Sequence, residues 1–221
     1  KACLLATPSN PAGTCIQPDI FEEIAGVVAD KRGHLIVDEI YQGVSPEGAP
    51  LPTMLSKTDD AFIVNSFSKY FGMTGWRLGW LIVPDQAVDP LIRIAQNLFI
   101  CPSVVAQAAA VAAFREEAIE EADRRSIDLA QKRRLISEGL EAIGFTIPAN
   151  PDGAFYLFAE VPAGAPDAEP FCEQALQQVG VAMTPGIDFG DNGTERFVRI
   201  SCAQPTSALL DALQRLRGLD A

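Results

Sequence analysis

The densest chemistry in the sequence lies in the string Ser66-Phe67-Ser68-Lys69-Tyr70-Phe71-Gly72-Met73-Thr74-Gly75-Trp76-Arg77-Leu78-Gly79. Two hydroxyls, a lysine and an arginine follow directly on an apolar run, with glycines that let the backbone turn closely around a ligand. Hydroxyls beside a guanidinium make a phosphate cradle, because the planar fork binds two oxygens at once. A lysine placed next to such a cradle is a candidate for condensation with a carbonyl compound. Three further segments combine unusual residues: Asn10-Pro11-Ala12-Gly13-Thr14, Asp38-Glu39-Ile40-Tyr41 and Arg199-Ile200-Ser201.

Composition removes several other chemistries. Lys and Arg number 17 against 29 Asp and Glu, for a net charge of −12. That field repels a phosphate backbone, so nucleic acid is not an expected partner. No apolar run reaches the roughly 18 residues that a membrane span requires, so no membrane partner is expected. Five cysteines, an odd number without a C-x-x-C pair, point to a reducing, cytoplasmic compartment and not to a disulfide framework. The single histidine, His34, lies in a strand-like run, which leaves no zinc set and no Ser-His-Asp triad; no metal is expected.

The elements that must position these residues can be read from periodicity. Strands are expected at Cys3–Thr7, His34–Asp38, Ala61–Asn65 and Leu78–Val83. A helix is expected at Pro18–Asp30 with Ile20, Ile24, Val27 and Val28 on its apolar face. Strand, helix, strand at this spacing implies a mostly parallel sheet covered by helices. Only about a dozen residues, without a helical pattern, join the last two strands, so that pair is a candidate for antiparallel pairing. After a Pro/Gly-rich loop at Ser45–Pro52 and the fourth strand, the pattern turns helical from Pro84 to about Gly144, including Ser103–Phe114 and Ala118–Ile143. Strands at Phe155–Glu160 and Phe197–Cys202 and helices at Glu169–Val179 and Thr206–Gly218 complete the chain. The fold class is α/β. A division into residues 1–120 and 121–221 is expected, the second part α+β. The chain opens in strand-like residues without Met, and is expected to be part of a longer protein.

The lysine string resembles the lysine motif of fold-type I pyridoxal-phosphate enzymes, most closely the class I/II aminotransferases. The N-P-x-G-T, D-E-x-Y and R-x-S elements at residues 10–14, 38–41 and 199–201 resemble that family's signatures and occur in its order. The resemblance implies a fold-type I architecture, of which residues 1–120 are the C-terminal part of the large domain. It implies pyridoxal 5′-phosphate held by Lys69 as a Schiff base, with Ser66, Ser68 and Arg77 on the phosphate. Asp38 is implied on the pyridine nitrogen, and Tyr41 and Asn10 on the ring oxygen. Arg199 is implied on the substrate carboxylate, with Phe155 touching the substrate. The implied reaction moves an amino group between an L-amino acid and a 2-oxo acid by a ping-pong mechanism with Lys69 as base and then acid, in a cytoplasmic homodimer. A lyase or synthase on the same fold, or the aminotransferase-like effector domain of a transcription regulator, are the alternatives. Glu39, Arg196, His34, Trp76 and Trp80 are read as structural, the two tryptophans as packing residues and Arg196 as a surface ion-pair residue.

Overall fold

The computed structural model describes residues 1–45 and 50–219; residues 46–49 of the expected Ser45–Pro52 loop lie outside the described residues. The chain divides into two compact units. One comprises Lys1–Pro8 with Cys15–Ser126, the other Ser9–Thr14 with Ile127–Ala221.

The first unit holds β1 (Ala2–Ala6), α1 (Pro18–Asp30), β2 (His34–Asp38), β3 (Ala61–Ser66), β4 (Gly79–Ile82), α2 (Asp85–Leu98), α3 (Val104–Ala113) and the start of α4 (Glu116–Glu141). The sheet order is β1-β2-β3-β4, with the first three strands parallel and β4 antiparallel to β3. The short connection therefore does reverse the chain, through a single 3-10 turn at Thr74–Trp76. Helix α1 starts with Pro18, whose missing N–H costs nothing at that position, and carries Asp19 at its positive end.

Its buried face is Phe21, Ile24, Ala25 and Val28, packed with Leu35, Val37, Met54, Ala61 and Ile63. That is an i, i+3, i+4, i+7 stripe, which keeps Ile24 and Val28 of the expected face and replaces Ile20 and Val27 with Phe21 and Ala25. Ile20 and Val27 lie 43% and 61% exposed. Fully buried Phe21 alone is worth about 2–3 kcal/mol of hydrophobic transfer. A second cluster gathers Phe67, Met73 and Ala110, with Phe71, Leu78, Trp80, Ala109 and Ala113 against it. The alanines of α3 thus provide close packing, and the helix starts under a cap from Ser103, whose hydroxyl accepts from the Ala106 N–H. Trp80 packs as expected, 4.9 Å from the Phe67 ring. Trp76 does not: it stands at the end of the 3-10 turn, 45% exposed.

The second unit contains β5 (Tyr156–Glu160), α5 (Ala168–Gln174), which runs on into a π-helical turn at Ala175–Val179, β6 (Thr184–Pro185), β7 (Phe197–Ser201) and α6 (Thr206–Leu216). Its antiparallel sheet has the order β5-β7-β6. One face of β5 and β7 carries Leu157, Ala159 and Val198 into a core with Ile136, Leu140, Phe171, Leu209 and Leu213. The period of two then puts Tyr156, Phe158 and Arg199 on the opposite face. No helix among the described residues is long and apolar enough to cross a membrane.

Candidate active site

In the first unit the C-terminal ends of β2 and β3 lie side by side, since the strands are parallel and Asp38 pairs with Val64. This is the end at which open α/β sheets hold their ligands. Asp38 closes β2, and its carboxylate accepts from the Ile40 N–H at 3.0 Å, which turns the chain toward Tyr41. Tyr41 is buried, and Lys69 Nζ stands 5.6 Å from its ring centroid. At the end of β3, Ser66 Oγ lies 2.9 Å from Ser68 Oγ and 3.1 Å from the Leu78 carbonyl, and it accepts from the Ser68 N–H at 3.0 Å. Thr74 Oγ1 donates to the Ser68 carbonyl at 2.6 Å, closing the turn that carries Lys69. Arg77 is exposed, with its backbone in the left-handed region at φ 53° and Nη1 donating to the Thr74 carbonyl.

The structure thus brings together Asp38, Tyr41, Ser66, Ser68 and Lys69, with Arg77 at the end of the same string. A carboxylate for a protonated ring nitrogen, an amine for an aldehyde, and hydroxyls with a guanidinium for a phosphate are the donor set that pyridoxal phosphate requires. The residues fit the group.

Three positioning contacts were not legible in the motifs. Tyr70, next to Lys69, donates its phenol to Asp123 of α4 at 2.6 Å. Burial, then that bond, pushes the phenol up to about 12. Gly43 has φ 83°, and a Cβ there would stand 2.5 Å from the Tyr70 ring, so only glycine lets the two loops approach. Buried Ser126, also in α4, accepts from the Ser45 N–H at 3.1 Å and lies 2.9 Å from the Gly43 carbonyl. Glu39 faces away from Asp38, as the alternation of a strand requires. It is buried and accepts from the Thr53 hydroxyl and from the Met54 N–H at 2.8 Å. Burial outweighs these bonds and raises its carboxyl above the usual range. His34 is exposed and meets Phe62 edge-on.

Asn10, Phe155 and Arg199 belong to the second unit. The Asn10 loop is closed by Ser9 N–H to Thr14 carbonyl and Gly13 N–H to Ser9 carbonyl bonds of 2.9 and 2.8 Å. Gly13, at φ 72°, lets the Gly153 N–H reach its carbonyl at 2.9 Å. Arg199 Nη1 donates to Asn10 Oδ1 at 2.9 Å, and Nη2 to Thr184 Oγ1 at 3.3 Å. Phe155 stands one residue before β5 instead of opening it. Ala154 adopts φ 58°, so regular pairing begins at Tyr156, although the Phe155 carbonyl still accepts from the Cys202 N–H. That turn is held by buried Arg133, whose Nη1 donates to the carbonyls of Gly153 and Ala154. Arg196 pairs with Glu160 at 3.2 Å and donates to the carbonyls of Val161, Pro162 and Ala165. Among the described residues no group of three or more His, Cys, Asp and Glu is placed to hold a metal ion.

Comparison with known proteins shows which family the chain resembles. A family model described as aminotransferase class I and II matches residues 1–216. A valine–pyruvate aminotransferase of Mycobacterium tuberculosis is 44% identical over 98% of this chain and 56% of its own length. A (5-formylfuran-3-yl)methyl phosphate transaminase of Methanocaldococcus jannaschii is 33% identical over 98% of this chain and 57% of its own. The crystal structure of an aminotransferase from Mycobacterium tuberculosis superposes with a TM-score of 0.93 at 42% identity, covering 98% of this chain and 56% of that one. The chain therefore spans little more than half the length of the relatives it matches, and its fold is the C-terminal part of the fold-type I architecture. On these matches, this chain belongs to the class I and II aminotransferase family.

Proposed function

We propose that the protein carrying this chain is a pyridoxal-phosphate-dependent aminotransferase that moves an amino group from an L-amino acid to a 2-oxo acid. The observation that carries the reading is the joining of Lys69, Asp38, Tyr41 and the Ser66–Ser68 pair at adjacent strand ends, in a chain of this family. Ser66, Ser68 and Arg77 hold the phosphate, Asp38 the ring nitrogen, and Tyr41 and Asn10 the ring oxygen. When bound, the cofactor supplies an electron sink for the pair left at the substrate Cα once its proton departs.

Arg199 takes the substrate α-carboxylate in its planar fork and fixes which Cα bond is broken, with Phe155 against the substrate. Lys69 Nζ accepts the Cα proton as general base and then returns it as general acid. The second half-reaction runs the same steps backward with the 2-oxo acid, giving ping-pong kinetics. The relatives named above are transaminases, which favours amino transfer over elimination or regulation. The one at 44% identity makes L-valine the first donor to test and pyruvate the first acceptor.

A homodimer is proposed in addition. Leu98, Phe99, Ile100, Val104 and Val105 form an apolar run 58–81% exposed in this chain, an area that an assembled protein would cover. Five free cysteines support a cytoplasmic location. The test is product analysis on the full-length protein with L-valine and pyruvate. Equimolar alanine and 2-oxoisovalerate are expected; ammonia without a new amino acid would overturn the reading.

A further inference from the structure

The environment of Arg199 carries more than its assignment to a carboxylate. Arg199 lies in β7 directly across from Phe158 of β5 and from Thr184 of β6. A guanidinium has five N–H donors. Asn10 and Thr184 take one from each terminal nitrogen, and Nε is buried without a hydrogen-bond partner. One hydrogen remains on each terminal nitrogen, a pair that suits the two oxygens of a carboxylate. Two bonds at the tip do not by themselves fix the tilt of the fork, and the edge that would normally be anchored through Nε is not.

Aromatic rings stand there instead. Arg199 Cζ lies 4.5 Å from the Tyr156 ring centroid and 4.8 Å from that of Phe189. Both rings are themselves braced. Tyr156 is buried and packs against Phe155 at 4.6 Å. Phe189 meets Phe158 edge-on at 6.2 Å, and Phe158 stacks on Phe197 at 4.9 Å. Phe189 is brought into place by the 3-10 turn Gly186–Phe189. A Cβ at Gly186 would stand 2.3 Å from the Thr194 carbonyl, so the turn leaves its sheet at a point where only glycine fits. Residues 184–189 thus supply both the hydroxyl that bonds the fork and a ring that faces it.

We infer that Phe189 and Tyr156 are positioning residues for Arg199. Their faces take the place of the missing Nε bond and set the tilt of the fork, so that its two remaining hydrogens meet a carboxylate together. A ring face attracts a guanidinium most strongly where water is excluded, and here the buried Nε is such a place. The consequence is selectivity: the rings matter for substrates that carry an α-carboxylate and not for amines that lack one. The inference rests on the reading of Arg199 as the carboxylate residue.

The test uses the full-length holoenzyme with Phe189→Leu, Phe189→Tyr, Thr184→Val and Arg199→Lys. Kinetics are compared for the best L-amino donor and for the amine lacking only its carboxylate. Binding of the donor's 2-methyl analogue, which has no Cα proton to lose, is measured by calorimetry. Phe189→Leu is expected to raise KM for the donor and Kd for the analogue about ten-fold, the loss of one desolvated cation–π contact, with kcat nearly unchanged. The amine should respond by less than about two-fold, since it offers the fork no carboxylate. Thr184→Val should act in the same direction, and Phe189→Tyr, which keeps a ring face, should restore the donor constants. Equal losses for donor and amine, or no loss for either, would overturn the inference while leaving Arg199 in its role. An Arg199→Lys variant with an unchanged donor-to-amine ratio would overturn the underlying reading, and the inference with it.

Discussion

Gly75 and Gly79 lie four residues apart in one string, and the structure gives them opposite sensitivities to the same substitution. Gly79 opens β4 and pairs with Ser66. A Cβ built there would stand 2.6 Å from the Asn65 carbonyl oxygen, about 0.8 Å inside the 3.4 Å at which such contacts become ordinary. Backbone cannot swing aside as a flexible side chain does, so Gly79→Ala must push β4 away from the end of β3. The cost is that of overpacking, about 1–3 kcal/mol. The displaced residues are Ser66 and Phe67, which bonds the Leu78 carbonyl at 3.1 Å. They lead directly into Ser68 and Lys69, so weaker cofactor binding is expected together with the loss of stability. A loss of about 1.4 kcal/mol in binding is a ten-fold rise in Kd. Gly75 has no atom within 4 Å of its would-be Cβ and no left-handed φ, so Gly75→Ala should change stability by less than about 0.5 kcal/mol. Thermal unfolding of the full-length protein with and without cofactor, together with an absorbance titration of pyridoxal phosphate, reads both quantities. If Gly79→Ala matches Gly75→Ala in both assays, the steric reasoning about this strand pair is wrong.

Glu39 predicts a pH signature of stability. Its carboxyl is raised from 4.5 by burial, so the folded protein holds the proton more tightly than the unfolded chain, and stability is lost as pH rises through the folded value. In Glu39→Gln, the Tm difference from wild type should grow more favourable to the variant from pH 4 to pH 8; a constant or opposite trend would refute this. The buried thiols of Cys172 and Cys202, pushed up to about 11 and about 12 chiefly by burial, should resist alkylation at pH 8 until the protein is denatured. Peptide mass analysis showing native labelling of Cys202 at the denatured rate would contradict that placement.

Much of the local geometry around the candidate site was legible in the sequence because its parts are close along the chain. The lysine string, the strand ends and the outward and inward roles of Asp38 and Glu39 follow from spacing and from the two-residue period. The antiparallel β4 followed from a connection too short for a crossover. What was not legible depends on tertiary partners. Arg133 sits in a helix of mixed charge where no spacing marks it for burial, yet it is buried and donates to the Gly153 and Ala154 carbonyls. Thr184 belongs to a two-residue strand, too short for any periodicity, and Phe189 reaches Arg199 only through the turn at Gly186. On α1, Ile24 and Val28 face the core as their spacing implies, but Ile20 and Val27 do not, because each adjoins an apolar residue, Phe21 and Val28, that takes the buried position instead. Trp76 followed its neighbour Trp80 in expectation but not in burial, since the left-handed Arg77 between them turns the chain.

The proposed chemistry depends on the Lys69 amine as the covalent anchor of pyridoxal phosphate. Borohydride reduction of the full-length protein with the cofactor, followed by proteolysis and mass analysis, tests it most directly. A single stable adduct is expected on the peptide containing Lys69, absent from Lys69→Ala. An unmodified Lys69 peptide, or an adduct persisting elsewhere in Lys69→Ala at wild-type yield, would contradict it.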